Sequence, residues 1–198
     1  MVAAGSVTTQ IAGRLFFALW PPPKWAGRLG AVAEALGRRR GGRPVPAGNI
    51  HLTLVFAGAV AVELGGRVAA AGEGLDVPPF ELHLDEWFEW PRSRVAGLAC
   101  SQPPPGLGRL AGELAARLAM LGLKLDRRPF VPHMTLWRGG RRRAGDGARL
   151  PGGPPEWERT DGLPFRWTVR DFVLVSSRTK PAGAHYALLR RYELAAPQ

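Results

Sequence analysis

The chain has 198 residues, 45% of them apolar, enough to bury a core and to exclude global disorder. Its net charge of +11 is carried almost wholly by arginine, since Lys24, Lys124 and Lys180 are the only lysines. The planar arginine fork suits phosphate, so this balance admits an anionic partner as well as a merely arginine-biased surface.

Met1–Gly13 lacks the basic start and long apolar stretch of a signal peptide and is expected to be a flexible extension. Arg14–Trp20 (RLFFALW) has the length and composition of a strand, and three prolines end it. It is the longest strongly apolar run and far too short to span a bilayer, so the protein is expected in the cytoplasm, without a membrane partner. Trp25, Leu29, Val32 and Leu36 recur at helical spacing and predict a helix over Lys24–Arg39. Arg38–Pro46 (RRRGGRPVP) reads as a basic loop and Ile50–Phe56 (IHLTLVF) as the second strand. Val60–Ala71 is a weaker helix, interrupted by Gly65 and Gly66.

Phe80–Trp90 alternates, with Phe80, Leu82, Leu84, Phe88 and Trp90 on one face, and predicts a single half-buried antiparallel strand. Val95–Cys100 is expected to pair with it across Pro91–Arg94. The only cysteine, Cys100, reads as a core thiol and excludes both disulfides within the chain and cysteine-paired zinc sites. Leu107, Leu110, Leu114, Leu118 and Leu121 form the stripe of a third helix, capped by Gly122. A short strand at His133–Trp137 follows, then a basic Gly- and Pro-rich loop over residues 138–155. Two last strands are predicted, Phe165–Ser176, broken near Asp171, and His185–Leu194, with Tyr186, Leu188, Tyr192 and Leu194 on one face. Strands mixed with three helices in no strict alternation predict an α+β fold with antiparallel sheet.

One internal echo carries chemistry. His51-Leu52-Thr53-Leu54 recurs as His133-Met134-Thr135-Leu136, 82 residues later. Residues two apart on a strand share a face, so each histidine is presented with its threonine while the intervening side chains turn inward. Two such units facing each other supply what displacement at a phosphate ester needs. One imidazole takes a proton from the attacking oxygen, the other gives one to the leaving oxygen, and Thr53 and Thr135 hold the non-bridging oxygens. The spacing alone does not say which histidine is donor. A single His-x-Thr in a strand means little; two copies among only four histidines mean more. His83 and His185 lack the pattern; His83 reads as solvated, His185 as a strand start.

With these signatures in place, the chain resembles the two-histidine phosphoesterases, specifically the RNA 2′,3′-cyclic phosphodiesterases once called 2′-5′ RNA ligases. RLFFALWPP is similar to the family's opening strand, NIHLTLVFAG (Asn49–Gly58) to its first signature and FVPHMTLWR (Phe130–Arg138) to its second. The closing segment Phe172–Tyr192 is similar as well, through Ser176, Gly183, Tyr186, Leu189 and Tyr192. The resemblance implies one bilobal domain, residues 1–198, whose two similar halves line a V-shaped groove with helices outside. It implies hydrolysis of a terminal RNA 2′,3′-cyclic phosphate to a 2′-phosphate without metal or cofactor. His51 would then be proton donor, His133 proton acceptor, and Thr53 and Thr135 the phosphate ligands.

Arg138 matches a substrate-contacting arginine of the family, although strand alternation turns it away from His133 unless the strand bends. Phe56 and Phe17 match aromatic positions near the groove that would stack a base, with a core position as the alternative for each. The chain departs from the family in Met1–Gly13 and in the insertion Arg138–Arg149, either an RNA track or a surface loop. Alternatives on the same site are a small cyclic nucleotide as substrate or reversible 2′-5′ joining of RNA. A different class is a non-catalytic RNA-binding module. A monomer is expected.

Overall fold

The computed structural model describes residues 11–139, 165–180 and 183–195. Among these residues ten strands and three α-helices alternate irregularly, as expected for an α+β fold. The first strand, β1 (Gly13–Leu19), places Leu15, Phe17 and Leu19 in the main core and Phe16 and Ala18 on the opposite face. It pairs with β3 (Leu52–Val60) on one side and with β9 (Asp171–Lys180) on the other. The last strand, β10 (Gly183–Glu193), extends the sheet beyond β9.

On the far side of β3 come β7 (His133–Arg138), β6 (Val95–Ala99) and β5 (Glu86–Trp90), and the two-residue β2 (Arg43–Pro44) also pairs with β7. The strands of both halves join one sheet of eight, with β3 and β7 adjacent at its centre. Their registered contact is the single antiparallel pair Leu52 and Met134. This pair sits one residue beyond each histidine, so the two signatures meet head to head.

The helices α1 (Pro23–Arg40), α2 (Val62–Ala70) and α3 (Pro105–Met120) contribute Leu29 and Leu36, Val68, and Leu107, Leu110, Leu114 and Leu118 to the one main core. They therefore cover the sheet face that Leu52, Leu54, Met134 and Leu136 also enter, and among the described residues no helix packs on the histidine face. No helix among the described residues is long and apolar enough to cross a membrane.

Four expectations need correction. Phe80–Trp90 is two strands in different sheets. Its first half, β4 (Phe80–Leu84), pairs with β8 (Phe165–Val169), and the second is β5 of the large sheet. The break falls at Asp85, whose carboxylate accepts the Ser101 backbone N–H at 2.9 Å and hydroxyl at 2.7 Å. Leu82 and Leu84 therefore enter the core while Phe88 and Trp90 turn to the histidine face. In β10, a register shift between Leu188 and Arg190 resets the alternation, so Tyr186 and Tyr192 lie on opposite faces.

The N-terminal extension is shorter than Met1–Gly13. Ile11 packs on the core over α2, its carbonyl filling the space where a Cβ on Gly65 would stand. That contact is why a glycine interrupts the helix. Residues 1–10 lie outside the described residues, as do 140–155 of the basic loop. Arg38–Pro46 is no free loop either, since it contains the last turn of α1 and then β2, bound to the end of β7.

Candidate active site

Both histidines are held in the same way from below. The His51 Nδ1–H donates to the Asn49 carbonyl at 2.7 Å, and the His133 Nδ1–H to the Val131 carbonyl at 2.7 Å. A carbonyl only accepts, so each bond fixes the tautomer with the proton on Nδ1 and leaves Nε2 as the working atom. Asn49 is itself tied down, its side-chain amide donating to the Ala184 carbonyl at 3.0 Å. Thr53 and Thr135, half-buried, share the face of their histidines.

The side walls are aromatic. Around His51, Trp20 stacks face to face at 5.2 Å between centroids with 5° between planes, Phe16 lies tilted at 5.0 Å, and Tyr186 meets it edge-on at 5.2 Å. Phe16, Trp20 and Tyr186 belong to a second apolar cluster with Ala18, Val173 and Val175, on the histidine face of the sheet. Among the described residues two aromatic rings neighbour His133, Phe88 at 5.3 Å and Trp90 at 4.6 Å, both edge-on. Phe88 stands beside Gly97 in the ladder, where any Cβ would collide with the Met134 carbonyl at 1.9 Å.

The echo extends further than four residues. Between β1 and β3 the register skips Leu54, and between β6 and β7 it skips Leu136. Both are the residue three after the histidine. Each bulge resets the alternation, so the residue five after each histidine returns to the histidine face. In the first copy that residue is Phe56, 55% exposed and 5.5 Å from Phe16. In the second it is Arg138, exposed, whose charge reaches both imidazoles. Unbroken alternation would have turned both away. Phe17 goes the other way: fully buried, it packs on Phe172 and Tyr192 in the core. It offers no surface to a base, and its neighbour Phe16 holds the position on the histidine face.

Burial pushes the His51 pKa down to about 4 against the pull of the Asn49 carbonyl, with the charges of Arg138 and His133 adding to the fall. His133 is also lowered, first by burial and then by Arg138. Without a ligand both imidazoles are thus held neutral at physiological pH. An anion between them would reverse this. Among the described residues no three His, Cys, Asp or Glu side chains cluster in a way that could hold a metal ion. His185 is exposed on β10, while His83 is half-buried on β4, less solvated than expected.

Residues 21–181 match the sequence profile of the 2′-5′ RNA ligase superfamily. The chain belongs to this superfamily. The RNA 2′,3′-cyclic phosphodiesterase of Escherichia coli K12 is 39% identical over 98 residues, half of this chain. That alignment spans 56% of the E. coli protein, little more than half its length. The crystal structure of E. coli LigT complexed with 3′-AMP superposes with a TM-score of 0.79 at 33% identity, over 92% of this chain and 98% of that one. The superfamily fold recurs in TT0787 of Thermus thermophilus, with a TM-score of 0.76 at 28% identity over 93% and 100% of the two chains.

Neither the aromatic walls nor the bulges were visible from the His-x-Thr pattern. Trp20, Phe88, Trp90 and Tyr186 lie in other strands or just beyond one, and strand pairing alone brings them in. The position five after each histidine could have been found by extending the echo from four residues to six.

Proposed function

We propose that the chain hydrolyses RNA 2′,3′-cyclic phosphate ends to 2′-phosphates by a metal-independent reaction between His51 and His133. One observation carries this reading: two imidazoles on adjacent central strands, each tied through Nδ1 to a carbonyl two residues upstream, share the charge of one arginine. Its context is membership of a superfamily that includes a relative named for this activity.

The cyclic phosphodiester anion sits between the two Nε2 atoms, its non-bridging oxygens on Arg138, Thr53 and Thr135. His133 Nε2 takes a proton from water as the water oxygen attacks phosphorus. The bond from phosphorus to the 3′-oxygen breaks, and His51 Nε2 gives that oxygen a proton. The 2′-phosphate and a 3′-hydroxyl remain. A donor with Nδ1 already protonated must enter the reaction as imidazolium. His51 is held neutral in the empty site, so the arriving anion is what charges it. Proton uptake is thereby coupled to substrate binding. The assignment of donor and acceptor follows the superfamily, since the two frames are alike. Phe56, exposed on the same face, stacks the terminal base. The protein acts as a monomer in the cytoplasm.

The test is incubation with an RNA oligomer ending in a 2′,3′-cyclic phosphate, in excess chelator, with the product's phosphate position determined. A 2′-phosphate is expected. A 3′-phosphate, a joined RNA or loss of turnover in chelator contradicts the mechanism.

A further inference from the structure

The run Arg38–Arg43 has no part in the chemistry above, yet the fold carries its last residue to the edge of the site. Arg43 in β2 is the direct antiparallel partner of Arg138 in β7. Directly opposite residues share a sheet face with Cβ atoms about 5 Å apart, and like charges so placed destabilise a sheet. The backbone imposes the arrangement by other means. The Trp137 indole N–H donates to the Gly41 carbonyl at 2.6 Å, and the Val45 N–H to the Leu136 carbonyl at 2.8 Å. Gly42, at φ +79°, lies so close that a Cβ would stand 2.7 Å from the Arg138 carbonyl. On the other flank the Gly139 N–H donates to the Arg94 carbonyl at 2.7 Å, which holds the Pro91–Arg94 turn, with Arg92 exposed, against the end of β7. Among the described residues the ion pairs engage other arginines, and none joins a carboxylate to Arg43, Arg92 or Arg138.

A like-charge pair held by surrounding backbone bonds is costly until an anion lies over it. The scissile phosphate satisfies one guanidinium, and Arg138 is the one whose charge reaches both histidines. We infer that Arg43 on one flank of Arg138 and Arg92 on the other bind further phosphates of the strand, and so set a preference for a polynucleotide end over a lone cyclic nucleotide. This rests on the proposed hydrolysis and adds to it the residues that read the strand beyond its end.

The experiment compares kcat/KM for an RNA oligomer ending in a 2′,3′-cyclic phosphate with that for 2′,3′-cyclic AMP. Arg43→Gln lowers the oligomer-to-mononucleotide ratio about tenfold, the loss expected for one charge-assisted hydrogen bond. Arg92→Gln lowers it less. The logarithmic salt dependence of oligomer binding becomes shallower by about 0.7 for each arginine removed. Arg43→Lys, which keeps the charge, retains most of the ratio and the slope, separating charge from any effect on the fold. An unchanged ratio and slope in Arg43→Gln overturn the inference. Anisotropy with an oligomer ending in a 2′-phosphate reads the same contrast without turnover. An inactive wild type therefore defeats the proposed hydrolysis and still leaves the role of Arg43 decided.

Discussion

The two halves of the central sheet build the same frame and furnish it differently. In each, a histidine is anchored through Nδ1 to a carbonyl two residues back, a threonine follows on the same face, and a bulge three residues on resets the strand. The walls then diverge. Among the described residues His51 is flanked by three aromatic rings, one stacked flat on it, while His133 has two edge-on neighbours, of which Trp90 is 37% exposed. At the reset position one copy places a phenylalanine and the other an arginine. The shared frame fixes where the imidazoles stand, and the differing walls set what each meets: a flat apolar surface on one side, a cation on the other.

The strongest way to break this comparison is to remove either imidazole. His51→Ala and His133→Ala are each expected to lose about 10²- to 10⁴-fold in kcat with the thermal midpoint little changed. The double variant should lose far less than the product of the two, because the pair acts as a unit. Strictly multiplicative losses in stopped-flow or discontinuous assays would mean that the histidines work independently.

A smaller effect sharpens the role of the position five after the second histidine. Arg138→Ala is expected to lower kcat/KM about 10- to 100-fold, the worth of a charge-assisted hydrogen bond to phosphate. The same change removes a positive charge felt by both imidazoles, so both histidine pKa values should rise in an NMR titration. A rise in one alone would show that Arg138 serves a single half.

The smallest effect probes the difference between the walls. Trp20→Ala opens the stacked face of His51 to water, and the His51 pKa should climb from about 4 toward its ordinary value while His133 stays put. Stability follows with a definite sign. Below about pH 6.5 the unfolded chain binds a proton at His51 that the folded chain refuses until about pH 4. The fold therefore loses stability as pH falls through that interval, by on the order of 3 kcal/mol, and Trp20→Ala should flatten the loss. Denaturant melts at pH 7 and pH 4.5 read it directly.

Much of this was legible in the residues. The opening strand, the three helices and the His-x-Thr echo follow from periodicity and repetition, because each depends on neighbours in sequence. What failed depended on strand partners. The dipeptide Phe16-Phe17 must turn one ring in and one out, and only the register against β3 and β9 selects Phe16 for the site. Phe80–Trp90 keeps an apolar rhythm but omits one beat at Glu86, and there the chain leaves one sheet for another. The bulges at Leu54 and Leu136 defeated simple alternation for Phe56 and Arg138, and the one near Leu189 did so for Tyr192. A bulge is set by how two ladders fit, which no single strand records.

The central claim is that the two Nε2 atoms converge on one phosphate. ¹⁵N NMR of both rings during a titration with inorganic phosphate tests it most directly. Both rings should begin as the Nδ1–H tautomer, and both Nε2 resonances should move along one common isotherm to the same midpoint. Two separate midpoints, or a response from one ring alone, would contradict the account.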